Sequence, residues 1–462
     1  MRQIRFFGLL ISIASAGAAA PEPPPSSSVP LTIAQAVDGA LRNYPSIRVT
    51  EEQMNAAAAG IRLAQTAYLP RVDGLAQVNR ATRNTFYGLL LPQGVIPGVD
   101  GVQANNAGTV WDSGVGVLVS WQPFDFGLRR ANVATATAAR QQALAAVDRT
   151  RYEVSVSTAG AFLTVIAAQQ TAQAARAAVD SWQVLLKSVH ALASAQLRPG
   201  ADESRVLAER SLAQTQLAQA EQAVDIARAT VAQFTGLNPS QVNVVADRLL
   251  ERPPPDSPGP SFDAAANPVA LEQNAAIAQQ RSQLNSLERT DYPQFSVQGI
   301  AAARGTGLET NGVRLGGANG LAPNVQNYGV GLTVTFPFMD RFAVREREAM
   351  QSADIRAGQA QYRLIQANLQ AQFNIAKATL DGARRVAENT PVEVSAAQTA
   401  LGQATARYQS GLAPIDDVAQ AQRLLVQATI DDALARLNLW RALLELAAAR
   451  GDIRPFLAQA SQ

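Results

Sequence analysis

Side chains able to make or break bonds are sparse in this 462-residue chain: there is no cysteine and one histidine, His190. Without cysteine there is no thiolate nucleophile, disulfide, Cys-ligated zinc or iron–sulfur cluster. His190 lies on a helical stretch beside Val189 and Leu192, and no second ligand or base accompanies it at metal or triad spacing. A packing or surface role is therefore expected of it, and catalysis is not. Gly305 and Gly307 precede no helix that could present its N-terminus to a phosphate, so they read as loop. What remains is electrostatic. Asp416 and Asp417 open the last long helical stretch, where carboxylates meet the positive end of the helix dipole. Two Gly/Pro-marked turns, Arg198-Pro199-Gly200-Ala201-Asp202 and Ser410-Gly411-Leu412-Ala413-Pro414, read in the first instance simply as punctuation between helices.

The bulk composition agrees with this poverty of reactive groups. Lys+Arg number 39 against 37 Asp+Glu, a formal charge of +2, which leaves no electrostatic footprint for nucleic acid. No run of 18 or more apolar residues occurs, so no helix of the sequence is expected to span a bilayer. Arg2 and Arg5, the apolar run Phe6 to Ala16 and the small residues Gly17 to Ala20 describe a secretory signal peptide over residues 1–20. Residues 21–30 form a Pro/Ser-rich lead-in. The protein is thus expected to be exported, and without a cysteine to acylate it is expected not to be lipidated. No cofactor is called for.

The elements that must position the acidic pair and the turns appear twice. Pro45 and Pro268 lie 223 residues apart, as do Pro70 and Pro293. Further along, "GVGVLVSWQPFDFG" and "GVGLTVTFPFMDRF" match at an offset of 215, pairing Trp121 with Phe336 and Asp125 with Asp340. The same offset pairs Pro199 with Pro414, Asp202 with Asp417 and Gly236 with Gly451. The eight-residue change of register falls between Pro70 and Gly116, in a Gly/Asn/Pro-rich interval where a surface loop absorbs insertions. The copies are residues 31–250 and 263–452, joined by the linker 251–262 and followed by a tail, 453–462.

Each copy reads as helix, two strands, two long helices. Thr32 to about Ala67 has apolar residues at helical spacing. Strands are expected at about 71–88 and 111–123, then at about 293–305 and 325–338. In one return strand Val115, Val117, Val119 and Trp121 share a face; in its counterpart Tyr328, Val330, Leu332, Val334 and Phe336 do so, against small or hydroxyl residues. Helices are expected over 125–197, 202–235, 340–408 and 416–450. About 70 residues of helix reach roughly 105 Å, far beyond an ordinary globular helix. Alanine, about one residue in five, lets such rods approach closely at little cost in helix propensity. Leu207, Leu212, Leu217, Val224 and Val231 offer larger knobs at roughly coiled-coil spacing. Pro391 should kink or interrupt the second rod.

Four strands cannot close a barrel, and an open edge in lipid is intolerable, so copies of the chain must share one sheet. The geometry that satisfies sheet and rods together is a tube: a joint barrel continued by a long helical cylinder.

The sequence resembles the outer membrane efflux protein (TolC) family over about residues 31–452. The stretches that carry the likeness are "LTIAQAVDGALRNYPSI", "YLPRV", "SWQPFDFGLRRA", "LRPGADESRVLAERSLAQTQLAQAE" and "ARYQSGLAPIDDVAQAQRLL", in this order and across a duplication. The resemblance implies a mainly α fold with a shared β-barrel. Three chains would complete a twelve-stranded barrel in the outer membrane of a Gram-negative bacterium and a coiled-coil periplasmic tunnel. It implies an exit duct for efflux or type I secretion, working with outer membrane lipid, a periplasmic adaptor and an inner-membrane pump of RND or ABC type. It also makes Tyr408, Asp416 and Asp417 gate residues, and Pro199, Gly200, Asp202, Gly411, Leu412 and Pro414 an adaptor-contacting tip. Val115, Val117, Val119, Trp121, Tyr328, Val330, Leu332, Val334 and Phe336 become the membrane-facing wall. Ala413 and Gln420 depart from the family pattern, which has Arg and Asp there, so the closing network must differ. The competing reading is a soluble periplasmic coiled-coil scaffold or adaptor, against which the aromatic-ended strands, with Trp111 and Trp121, argue.

Overall fold

The computed structural model describes residues 30–82, 109–196, 199–253, 262–307, 309, 313 and 315–461. The expected signal peptide, most of the lead-in, residues 83–88 of the first strand and most of the linker lie outside these. In chain order the elements are β1 (Pro30–Leu31), α1 (Ile33–Asn43), α2 (Pro45–Thr66), β2 (Arg71–Thr82), β3 (Thr109–Phe124), α3 (Leu128–Ser194), α4 (Gly200–Thr235) and β4 (Asn243–Val244). After the linker come α5 (Pro268–Leu287), β5 (Gln294–Thr306), β6 (Val325–Thr335), α6 (Asp340–Gln409), α7 (Ile415–Ala449) and α8 (Arg454–Ser461).

The first helical stretch is two helices rather than the single one expected from Thr32 to Ala67. Thr32 and Gln35 close a reciprocal cap on α1: the Gln35 N–H donates to Thr32 Oγ1 at 3.3 Å and the Thr32 N–H to Gln35 Oε1 at 3.0 Å. Tyr44 is extended (φ −70, ψ 122), the conformation a following proline favours, and Pro45 then starts α2 at its first turn. The second copy begins α5 the same way, with Asn267 capping and Pro268 opening. The tail is also more ordered than expected. It forms α8, whose Phe456 and Ala460 are buried against the central core.

The four longer strands form one antiparallel sheet in the order β2-β3-β5-β6, so the repeats meet at β3–β5 and both outer edges are open. The helices form two antiparallel hairpins, α3–α4 and α6–α7. At 67 and 70 residues, α3 and α6 are about 100 Å long. Gly236 (φ 75) and Gly451 (φ 82) take the left-handed conformation where α4 and α7 end. One large core lies midway along the rods, around Phe162, Ile166, Leu437 and Trp440; a second, around Trp182, Val189, Val206 and Tyr408, lies near the turns.

Along the helices, buried positions recur every seven residues, as in a coiled coil. They are Ala175, Trp182 and Val189 on α3, Val206, Ala213, Ala220 and Ala227 on α4, and Ala421, Ala428, Ala435, Ala442 and Ala449 on α7. Leu207 and Leu212, expected as knobs, are about half exposed, because the seam runs through Val206 and Ala213, one position away from each. α6 is continuous through Pro391, so the expected interruption does not occur. Thr390 beside it donates to Asp432 of α7 at 2.9 Å, and the carbonyl that the proline leaves without a helical donor is satisfied from the linker.

Candidate functional site: helix tips and a one-faced sheet

At the α6–α7 turn the helix ends in a left-handed stop. Gly411 (φ 79) donates its N–H to the Tyr408 carbonyl at 3.0 Å, and Leu412 donates to the Arg407 carbonyl at 2.8 Å. This leaves the Leu412 side chain 73% exposed at the apex. Pro414 sets the extended residue before α7, as Pro199 does before α4. Gly200 has open space around it. Ala413 is buried.

Tyr408 points inward, not to solvent. Its ring is 2% exposed, and its hydroxyl donates to Asp202 Oδ2 at 3.1 Å, tying α6 to α4. Asp202, expected at the outer tip, therefore turns its carboxylate to Tyr408. The two acids of α7 have different surroundings. Asp416 lies 3.3 Å from Arg205 Nε of α4, whereas Asp417 is exposed and has no ion-pair partner among the described residues. His190 is on the surface, with Nδ1 2.8 Å from Glu203. Among the described residues no group of His, Cys, Asp or Glu is arranged to hold a metal.

Sequence reasoning missed Arg205, Glu209 and Arg423, which meet between the hairpins. The available signal was Glu209, a carboxylate three residues after Val206 on a seam otherwise written in Ala and Val.

In the sheet, the pairing register decides which residues share a face. Val72, Gly74 and Ala76 stand opposite Val119, Val117 and Val115. These in turn oppose Gly299, Ala301 and Ala303, and Trp121 opposes Val297. Continuing across β5, Val297, Gly299 and Ala301 meet Leu332, Val330 and Tyr328, and Phe295 meets Val334. Most of the larger apolar residues of the four strands thus share one face. Tyr328 (92% exposed) and Val330 (85%) have almost no cover within the chain. The opposite face carries Asp73, Gln77, Ser120, Gln298, Asn327 and Thr333, with Leu75, Leu118 and Ile300 among them. Phe336 is 52% exposed. It follows β6, because Pro337 leaves no donor to continue a ladder, and its ring stacks on Phe338 at 5.7 Å.

The sheet turns into α3 through Asp125. Its Oδ1 accepts from the Gly127 N–H (3.1 Å), and its Oδ2 from the Arg129 N–H (2.7 Å) and Nε (2.8 Å). Burial by itself raises the Asp125 pKa, but these hydrogen bonds and the Arg129 charge outweigh it and hold the carboxyl below its usual range. Arg129 also lies over the Tyr68 ring at 4.8 Å. Around the junction Phe124, Phe126, Tyr292 and Phe295 form a ring cluster, and Trp121 Nε1 donates to the Tyr68 carbonyl at 3.1 Å.

No helix among the described residues is long and apolar enough to cross a membrane, which leaves the sheet as the apolar surface of interest. The CyaE protein of Bordetella pertussis is 27% identical over 96% of this chain and 90% of its own length. The pyoverdine export outer membrane protein OpmQ of Pseudomonas aeruginosa is 26% identical over 85% of this chain and 80% of its own. The crystal structure of the outer membrane protein VceC from Vibrio cholerae superposes with a TM-score of 0.70, at 16% identity, over 91% of this chain and 96% of VceC. Residues 36–237 and 264–452 match the outer membrane efflux protein family. With both repeats matched and the same rods and sheet in place, the chain belongs to the outer membrane efflux protein family.

Proposed function

We propose that three copies of this chain form an outer membrane exit duct. The duct passively conducts what an inner-membrane transporter delivers through a periplasmic adaptor. The observation that carries this is the four-stranded sheet, apolar on one face, mainly small and polar on the other, and open at both edges. Backbone groups on an open edge cannot be left unpaired in lipid, so β2 of one copy pairs with β6 of the next. Twelve strands then enclose a wet lumen lined by the polar face, with Val115, Val117, Val119, Trp121, Tyr328, Val330, Leu332 and Val334 against lipid. The four rods per chain continue the wall into the periplasm.

At the far end Tyr408, Asp416 and Asp417 form the gate, and Pro199, Gly200, Gly411, Leu412 and Pro414 offer the adaptor a surface of turns. Asp202 joins the gate. The apolar sheet face and the family assignment both oppose the soluble scaffold reading.

The test is membrane fractionation, detergent extraction and sizing of the complex, followed by recordings in planar bilayers. A detergent-soluble trimer that conducts is the expected result. A water-soluble monomer overturns the proposal.

A further inference from the structure

The duplication supplies a template for a contact that one chain cannot make with itself. Within the chain α5 packs between two rods, α6 of its own repeat and α3 of the first. Its counterpart α2 packs against α3 of its own repeat and has no comparable contact with α6. Repeating the step from first repeat to second carries α2 of the next copy into the groove beside α6. The offsets of 223 for α2 and α5, and of 215 for α3 and α6, then name the residues that meet.

Where α5 meets α3 the joint is polar. Arg149 Nη1 donates to Glu272 Oε2 at 2.8 Å, Thr135 Oγ1 to Ser282 Oγ at 3.3 Å, and Ser286 Oγ to Asn132 Oδ1. The equivalent places on α6 and α2 are largely apolar. Leu364 stands for Arg149 and Val49 for Glu272, while Met350 stands for Thr135 and Leu63 for Ser286. All four are more than half exposed on the single chain. Ala59 stands for Ser282, and Asn132 alone has a charged counterpart, Arg347, whose aliphatic stem can lie along Leu63. Val49 is turned away from its own rod. Glu51 points to α3, where Arg151 Nη2 donates to it at 2.8 Å, and Val49 lies about 200° round the helix from Glu51.

The neighbouring helices and the sheet agree. Arg441 of α7 reaches Thr164 of α3 at 3.4 Å; the residue in its place on α4 is Ile226, 62% exposed. Copying the β3–β5 register onto β6 and the next copy's β2 sets Val334 opposite Ala76 and Leu332 opposite Val78. That register keeps the apolar face continuous from copy to copy, whereas a slip of one residue would reverse it.

We propose that Val49 of one copy packs against Leu364 of its neighbour, the apolar replacement, between copies, of the Arg149–Glu272 ion pair within each. This rests on the duct reading above and assigns the residues that tell the two kinds of joint apart. Joining two first repeats would set Val49 against Arg149, and joining two second repeats would set Glu272 against Leu364. Each wrong joint strands a charge on an apolar partner, so first and second repeats alternate round the ring.

The test is sizing of detergent-extracted protein. Val49→Glu and Leu364→Arg are each expected to lower the trimer fraction severalfold. The double variant, Val49→Glu with Leu364→Arg, transplants the internal ion pair into the joint. It is expected to restore the trimer, now weakened by added salt as the parent trimer is not. Single variants that assemble like the parent, or a double variant no better than either, overturn the joint and leave the duct standing. A parent that is itself a water-soluble monomer overturns both.

Should a single variant not fold, the cysteine-free chain permits a second measurement. Val49→Cys with Leu364→Cys, treated in membranes with a short bis-maleimide, is expected to give linked dimers and trimers. Linking no faster than in a control carrying Val49→Cys and Ala378→Cys, the latter about 21 Å further along α6, overturns the joint.

Discussion

Arg252 supplies the hydrogen bond that Pro391 cannot. Its Nη2 donates to the Ala387 carbonyl at 2.6 Å, and Ala387 lies four residues before the proline, where a helical N–H belongs. The segment bearing Arg252 is itself held down. Trp440 Nε1 donates to the Glu251 carbonyl at 3.0 Å and Arg436 Nη1 to that of Leu250 at 3.4 Å. The start of the inter-repeat linker is therefore a strap across both helices of the second hairpin, fastened where α6 has lost an internal bond.

Arg252→Ala should destabilise the fold by about 1.5–3 kcal/mol, the range for a charge-assisted hydrogen bond. In a Pro391→Ala background the cost should fall, because the backbone N–H restored at that position then donates to the Ala387 carbonyl itself. Chemical unfolding of the four proteins of this double-mutant cycle measures the coupling. Equal costs in the two backgrounds would show that Arg252 does not act for the missing amide.

Asp417 is exposed and carries no salt bridge among the described residues, so in the proposed duct its charge is free to act on passing ions. Asp417→Asn should lower cation selectivity, read as a shift of the reversal potential toward zero under a salt gradient. Asp416→Asn, whose parent carboxylate faces Arg205, should shift it less.

Asp125 makes stability depend on pH in a defined direction. Its folded pKa lies below the unfolded value of about 3.9, so the unfolded chain binds the proton first. Its contribution is complete above that value and is lost as pH falls through the folded pKa. Asp125→Asn, which keeps an acceptor oxygen but removes the charge facing Arg129, should therefore lower the thermal midpoint at pH 7, at a cost of about 1.5–3 kcal/mol for a charge-assisted hydrogen bond. As pH falls through the folded pKa the gap should close. A gap of the same size at pH 7 and below the folded pKa would contradict this.

Val330 is 85% exposed on the apolar face. Val330→Arg should cost about 2–4 kcal/mol near the bilayer midplane and reduce the amount of assembled trimer recovered from membranes. Gly331→Ser, on the other face of the same strand, should be tolerated, and quantitative membrane fractionation compares the two.

What the sequence made legible is periodicity. Alternation in Val115 to Trp121 and in Tyr328 to Val334 gives strand and face together, because the side-chain period of a strand is two. The long rods follow from uninterrupted helical pattern. Contacts between elements were not legible in the same way. Nothing local marks Arg252 as the partner of a residue 135 positions later, or Glu209 as the meeting point of Arg205 and Arg423. Tyr44 reads as one more helical residue unless the backbone demand of Pro45 is given priority. Leu207 and Leu212 misled because size suggested the seam, whereas the register follows the smaller Val206 and Ala213.

The buried alanines of α7, at every seventh residue from Ala421 to Ala449, make tunnel length a quantised property. Inserting or deleting one or two residues rotates everything beyond by about 100° per residue and turns the alanine row away from its partner. Removing seven keeps the row in phase and shortens the helix by about 10.5 Å. Each hairpin runs out and back, so the same seven must leave both of its arms, and both hairpins must change together for their tips to stay level. The reach of such a duct across the periplasm is thus adjustable only in steps, each taken by four helices at once.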